Sequence, residues 1–189
     1  MPSGALTRRK AAKSPTPMSV WIAISGGKNV GKTSVIEQII RHLKPFGYTV
    51  STIKHTHLSI EPDSPGTDTF RHRHAGADTT VLVSPKGYFL HYPGSGEEGL
   101  PDGISRILSE FDVVLCEGFY DSDIPKVVIE SVEDDEKTTS APGEPVILRT
   151  RLQKSPRGTL SLSPSDLDRI MSYIGERRKH GEDISPPSA

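Results

Sequence analysis

One stretch of eight residues decides the fold that we expect for this chain: Gly26-Gly27-Lys28-Asn29-Val30-Gly31-Lys32-Thr33. It fits the pattern G-x-x-x-x-G-K-[ST], in which glycines let backbone N–H groups approach phosphate oxygens. An apolar run from Val20 to Ile24 precedes it and predicts a β-strand, and Thr33 to Leu43 follows with helical spacing of its apolar residues. A strand, a glycine loop and a helix in this order predict a phosphate-binding loop at a helix N-terminus.

Each polar residue of this loop has an expected role toward a nucleoside triphosphate. Lys32 is placed to meet the β- and γ-phosphates, and the Thr33 hydroxyl is a hard oxygen ligand of the kind that Mg²⁺ accepts. The predicted nucleotide-binding run is Gly26, Gly27, Lys28, Asn29, Val30, Gly31, Lys32, Thr33 and Ser34. We therefore expect a nucleotide site that uses Mg²⁺.

A carboxylate near the γ-phosphate is also expected, at the end of a buried strand beside the first one. The run Val113 to Cys116 predicts such a strand, with Asp112 before it and Glu117 after it. Ligands of α/β sheets bind at the carboxyl ends of the strands, so Glu117 is the predicted catalytic and magnesium-organising acid and Asp112 belongs to the opposite edge. A single acid at a strand end is also compatible with a residue that simply faces solvent.

The rest of the chain alternates between strand and helix patterns. Tyr48 to Ile53 completes an opening βαβ unit, and we expect this second strand to neighbour the first. Asp68 to Ala75 predicts a short helix, and two β-rich runs around Ser84-Pro85-Lys86-Gly87 predict a hairpin. A short helix at 104–108, weaker strands at 126–129 and 146–148 and an amphipathic helix at 165–174 follow. The pattern predicts an α/β, P-loop NTPase-type three-layer fold, with a mostly parallel sheet and an inserted β-hairpin.

A second polar segment follows the second predicted strand. Lys54, His55 and His57 come directly after it, and Asp68 and Arg71 begin the next helix. The crevice rule predicts that the first three side chains face the same pocket as the phosphate loop, and lysine and arginine there suit an anion. Two alternatives remain open for this segment: a zinc site built on His-x-His, and an ordinary solvated surface.

Composition limits the remaining classes. The chain has 23 basic and 24 acidic residues, a net charge of −1, which gives no general attraction to nucleic acid or to an anionic membrane. With one cysteine and no long apolar run, we expect a cytoplasmic protein without a membrane span, and the polar stretch after Arg8-Arg9 argues against an export signal. Residues 1–17 predict a disordered basic tail, 18–174 the nucleotide-binding domain, and 175–189 a second disordered tail, while 130–145 predicts a solvated loop.

Several of these blocks together resemble one family. The phosphate loop, Lys54-His55-Thr56-His57, Asp68-Thr69-Phe70-Arg71-His72 with Ala75-Gly76-Ala77, and Glu117-Gly118-Phe119 with Pro125-Lys126 occur in that order. This arrangement is similar to molybdopterin-guanine dinucleotide biosynthesis protein B, the MobB family, over roughly Ser19 to Glu130. The resemblance implies a homodimeric GTP-binding adaptor with weak GTPase activity and Mg²⁺, which assists the molybdenum cofactor guanylyltransferase in converting the molybdopterin cofactor to its guanine dinucleotide form.

The resemblance also has limits in this chain. Leu58 stands where a second histidine often follows His57, and the chain has no Asn-Lys-x-Asp segment to recognise guanine. The alternative function is a small-molecule kinase or ligase that transfers a phosphoryl group from ATP or GTP. Such an enzyme would require an arginine lid, for which Arg71, Arg73, Arg149 and Arg151 are the candidates.

Overall fold

The computed structural model describes residues 19–61, 63–92, 100–131, 145–154, 158 and 160–180. The predicted tail at 1–17, most of the predicted loop at 130–145 and the last nine residues lie outside this range. In chain order the elements are β1 (Val20–Gly26), α1 (Lys32–Leu43), a 3₁₀ helix (Lys44–Phe46), β2 (Val50–Lys54), α2 (Asp68–His74), β3 (Thr80–Ser84), β4 (Gly87–His91), α3 (Asp102–Leu108), β5 (Val113–Glu117), β6 (Lys126–Ile129), β7 (Val146–Thr150), β8 (Gln153–Lys154), β9 (Leu160–Ser161) and α4 (Pro164–His180).

Five parallel strands form the central sheet in the order β2-β5-β1-β6-β7. The predicted α/β fold with a parallel sheet is confirmed, and β3 and β4 form the predicted hairpin as a separate two-stranded sheet. One expectation was wrong: β2 does not lie beside β1, because β5 is inserted between them. The strand that ends at Glu117 therefore touches both the phosphate-loop strand and the strand that ends at Lys54.

Alternation along β1 explains why the sheet is covered on both faces. Val20, Ile22 and Ile24 point to one face and pack with buried residues of α1 and α4. Trp21 and Ala23 point to the other face, where the cover includes Leu108 of α3 and the loop residues Phe119 and Ile124. All five of these β1 side chains are at most 2% exposed, so β1 is the centre of the core.

Helix α4 continues past the predicted domain boundary at residue 174. The expectation that a disordered tail begins at Gly175 was wrong for residues 175–180, which are helical. Arg178 explains the extension: its guanidinium lies 2.8 Å from Asp112 Oδ1 and over the Tyr48 ring, 5.2 Å from the centroid. The last turns of the helix are thus held to the amino-terminal edge of the sheet.

Asp112 lies at that amino-terminal edge, as predicted. Its Oδ2 accepts hydrogen bonds from Thr49 N at 2.6 Å and from Thr49 Oγ1 at 2.9 Å. Burial acts to raise the Asp112 pKa, but the hydrogen bonds from Thr49 and the charge of Arg178 outweigh it, and the pKa lies below its usual value. Asp112 therefore connects the start of β5 to the segment before β2 and to α4.

Candidate functional site: the phosphate loop and the carboxyl edge of the sheet

The loop between β1 and α1 has the backbone shape that its glycines predict. Gly31 is the N-cap of α1 with φ 98°, and Asn29 adopts φ 62°, both in the left-handed region. Because the N-cap is a glycine, it offers no capping side chain, and within the described part of the chain the first N–H groups of α1 have no side-chain acceptor. Free N–H groups and the helix dipole together favour an anion at this position.

Gly31 is held in place by a segment that the sequence did not predict. A Cβ at Gly31 would lie 2.7 Å from Leu152 Cδ1 and 3.1 Å from Leu160 Cδ1. Leu152 directly precedes β8 and Leu160 begins β9. Gln38 of α1 hydrogen-bonds to this β8–β9 ribbon: its side chain donates to Leu160 O at 3.2 Å and accepts from Leu162 N at 2.9 Å. The ribbon strands are only two residues long and lack a clear alternating pattern, which is why sequence analysis missed them.

Lys32 points back across the loop. Its Nζ donates hydrogen bonds to the carbonyls of Gly26, at 3.0 Å, and of Gly27. Partial burial lowers the Lys32 pKa, Glu117 acts to raise it, and the nearby Lys54 lowers it further. The ammonium group is therefore held inside the loop, where it has lost part of its hydration and favours an anionic partner.

Glu117 joins the phosphate loop to the end of β2. Its Oε2 accepts a hydrogen bond from Thr33 Oγ1 at 3.1 Å, and its Oε1 lies 2.8 Å from Lys54 Nζ. The Glu117 side chain is 13% exposed, whereas Lys54 is 61% exposed. The structure thus brings together three of the predicted site residues, from β2, α1 and β5, at the carboxyl edge of the sheet. A threonine hydroxyl and a carboxylate side by side are a donor set that fits Mg²⁺.

His55 and His57 extend this edge. The His55 backbone N–H donates to Glu117 O at 3.0 Å, and the His55 ring contacts Phe119 and His57, with centroids 5.7 and 4.8 Å apart. Gly118, at φ 93°, lies against His55, since a Cβ there would be 3.4 Å from the His55 carbonyl oxygen. The histidine segment is therefore attached to the residues that directly follow Glu117.

A buried lysine that sequence analysis did not select supports the same loop. Lys126, at the start of β6, is fully buried, and its Nζ donates to Ser122 O. The Ser122 hydroxyl in turn donates to Phe119 O at 2.8 Å. The signal was a lysine opening an otherwise apolar strand, which is unusual because lysine is seldom fully buried.

The other predicted site residues lie on α2. Asp68 and Arg71 form a 4.0 Å ion pair with each other, and both are largely exposed. Within the described ranges no hydrogen bond or ion pair connects either of them to the phosphate loop, and α2 packs mainly on β3. Their role in the site stays a prediction.

Neither the zinc site nor the kinase alternative gains support from the described residues. The residues that the structure describes contain no group of three or more His, Cys, Asp or Glu that could hold a metal ion, so they show no candidate zinc site. Two of the arginines considered for a kinase lid form ion pairs with acids: Arg73 with Glu61, and Arg151 with Glu130 at 3.6 Å. Among the described helices, none is long and apolar enough to cross a membrane.

Comparison with known proteins identifies the family. Residues 21–148 match the family described as molybdopterin guanine dinucleotide synthesis protein B. This chain belongs to that family. The match extends to Leu148 in β7, whereas the resemblance of the sequence motifs ends at about Glu130.

Curated relatives in the same family come from bacteria and archaea. The Escherichia coli K12 molybdopterin-guanine dinucleotide biosynthesis adapter protein is 34% identical over 122 residues, which cover 63% of this chain and 68% of that protein. A putative adapter protein of the same description from Methanocaldococcus jannaschii is 35% identical over 114 residues, 57% of this chain and 46% of that protein. This chain therefore spans about half the length of the archaeal relative.

Solved structures of the family share the fold. A molybdopterin-guanine biosynthesis protein B crystal structure superimposes with a TM-score of 0.60 at 23% identity, covering 83% of this chain and 99% of the other. The Bacillus subtilis MobB structure gives a TM-score of 0.56 at 23% identity, with 80% and 95% covered. At this identity the likeness supports the P-loop type of α/β fold and nothing finer.

Proposed function

We propose that this protein is a GTP-binding adaptor that acts with a molybdenum cofactor guanylyltransferase in forming the guanine dinucleotide form of the molybdopterin cofactor. The observation that carries the proposal is the arrangement at the carboxyl edge of the sheet: Thr33 and Lys32 in the phosphate loop, with Glu117 against Thr33 at 3.1 Å. Membership in the family indicates the biosynthetic pathway, because relatives carry the name molybdopterin-guanine dinucleotide biosynthesis adapter protein.

In this proposal the chain holds the magnesium triphosphate by its backbone and three side chains. The uncapped N-terminus of α1 and the Lys32 ammonium bind phosphate oxygens, and Thr33 and Glu117 hold Mg²⁺. When bound, Mg²⁺ would neutralise charge on the phosphates. Among the described residues Glu117 is the acid hydrogen-bonded to Thr33, and slow hydrolysis is part of the proposal because the family resemblance implies a weak GTPase.

The proposed second ligand is the phosphate of molybdopterin, held by Lys54, His55, His57 and Arg71. The first three lie at the carboxyl edge beside Glu117, and the mutual contact of His55 and His57 gives them a common surface. Asp68 and Arg71 would have to approach this edge in the complex. His57→Ala and Arg71→Ala are expected to leave GTP affinity within a few fold and to lower cofactor formation with the guanylyltransferase. Full activity of both variants in the reconstituted reaction would contradict this role.

We also propose that two copies of this chain associate through the β3–β4 hairpin. Both faces of the hairpin expose apolar side chains: Val83 and Tyr88, which pair across it, are 64% and 78% exposed, and Phe89 on the other face is 65% exposed. An isolated two-stranded sheet is only marginally stable, and an apolar patch of this kind marks an interface. A second copy is the partner that the family resemblance implies.

Two measurements test these proposals. Calorimetric titration with GTP, ATP and molybdopterin, with and without Mg²⁺, should show magnesium-dependent GTP binding, and no binding of any triphosphate would overturn the adaptor proposal. Sedimentation of the wild type and of a Tyr88→Ser, Phe89→Ser double variant tests the association. A wild-type monomer, or an unchanged dimer in the variant, would contradict the hairpin interface.

A further inference from the structure

Each carboxylate oxygen of Glu117 has a partner, and the two partners come from different elements. Thr33 Oγ1 donates to Oε2, and Lys54 Nζ is bound to Oε1 at 2.8 Å. Both carboxylate oxygens of the only acid bonded to Thr33 in the described chain are therefore occupied. The ammonium group of Lys54 supplies the positive charge that balances this acid.

A divalent cation at Thr33 competes with this arrangement. The hydrogen bond from Thr33 to Oε2 can persist while the hydroxyl oxygen binds a metal, because the oxygen keeps a lone pair. Oε1 is different: a water of the Mg²⁺ shell that donates to it would share the oxygen with the Lys54 ammonium group, which brings the two cations close together. Two cations at one carboxylate also repel each other, and the repulsion is stronger here than in water because the Glu117 side chain is only 13% exposed.

Lys54 is the partner that can leave. Its side chain is 61% exposed and stands at the last residue of β2, so its rotation disturbs no core packing. Glu117 and Thr33 are fixed by the buried strand β5 and by α1. Once released, the ammonium group can pair with the third phosphate of a bound triphosphate, which lies beyond the two phosphates that the loop would hold, whereas a diphosphate has no phosphate at that position.

We propose that Lys54 is an internal cation that Mg²⁺ must displace from Glu117, and that it thereby makes the site prefer a nucleoside triphosphate over a diphosphate. This inference rests on the proposed binding of a magnesium nucleotide at the phosphate loop. In the free protein Lys54 stabilises the Glu117 carboxylate. In the complex with a triphosphate and no molybdopterin, its charge pairs with the third phosphate, and in a diphosphate complex no third phosphate is present to receive it.

The test compares Lys54→Met, which keeps the length of the stem without its charge, with Lys44→Met. Lys44 is exposed and begins the 3₁₀ helix that follows α1, so this control removes the same charge away from the site. Mg²⁺ is titrated into each protein at fixed GDP or GTP, and bound nucleotide is followed by calorimetry. For Lys54→Met we expect the Mg²⁺ concentration at half-saturation with GDP to fall roughly two- to fivefold, the range of a single partly exposed ion pair.

The ratio of GDP to GTP dissociation constants provides the second readout. It should fall toward one in Lys54→Met and stay at the wild-type value in Lys44→Met. If wild type and Lys54→Met bind both nucleotides with the same magnesium dependence and the same ratio, the Lys54 inference is overturned while the adaptor proposal stands. If the wild type binds neither nucleotide, both fail together.

Discussion

Replacing Lys32 with methionine separates the charge of the phosphate loop from the packing of the side-chain stem. In the structure the ammonium group donates to the carbonyls of Gly26 and Gly27, which are half-exposed, so water can replace it. The free energy of unfolding should therefore change by less than about 1 kcal/mol. Triphosphate binding should weaken by about 2 kcal/mol or more, since a partly desolvated charge loses its anionic partner, and this corresponds to at least a roughly 30-fold higher Kd.

Calorimetric titration with GTP and Mg²⁺ measures the affinity, and urea unfolding followed by circular dichroism checks the fold. The loss of wild-type affinity at alkaline pH, which is the alkaline limb of a plot of affinity against pH, gives a further test. Because burial lowers the Lys32 pKa, affinity should begin to fall at a lower pH than an ordinary lysine would give, and this limb should be absent in Lys32→Met. A folded Lys32→Met protein whose Kd lies within threefold of the wild type would refute the assignment of the phosphate loop.

Three further predictions concern stability and turnover. Asp112→Asn should lower the free energy of unfolding at pH 7 by about 2 kcal/mol, because the charged contacts with Thr49 and Arg178 are lost. Because folding lowers the Asp112 pKa, the carboxylate contributes its full stability above the unfolded-state pKa of about 3.9 and loses it as pH falls through the lower folded-state pKa. Urea unfolding should therefore show a smaller stability difference between wild type and Asp112→Asn at acid pH. Gly31→Ala should cost about 1–3 kcal/mol in thermal or urea unfolding, because the new Cβ meets Leu152 and φ is 98°; an unchanged midpoint would contradict this packing. Steady-state phosphate release from GTP without a partner should stay below about 1 s⁻¹, and a faster rate would indicate an enzyme in its own right.

The phosphate loop was predictable because its information is local. Strand β1, the loop and helix α1 are contiguous, and each shows its own signal: an apolar run, glycines at left-handed positions, and helical spacing from Thr33. The hairpin was predictable for the same reason, since its turn residues lie between two β-rich runs. The position of Glu117 at the carboxyl end of β5 followed from the crevice rule, which depends only on strand direction.

The length of α4 illustrates a limit of local signals. Gly175 and the charged residues after it resemble the end of a helix, yet the helix continues to His180. Arg178 gains partners in Asp112 and Tyr48, which are far away in the chain. A contact of this kind leaves no periodic trace, so the sequence alone underestimated the helix.

The sequence by itself therefore determined the type of fold, the nucleotide loop and the set of residues worth testing. Only the tertiary structure decided which of them meet: it inserted β5 between β1 and β2, and so placed Glu117 in contact with both Thr33 and Lys54. It left Asp68 and Arg71 paired with each other on α2. The physical reason is that strand order is set by how the whole core packs, whereas each helix, strand and turn is encoded by residues next to one another.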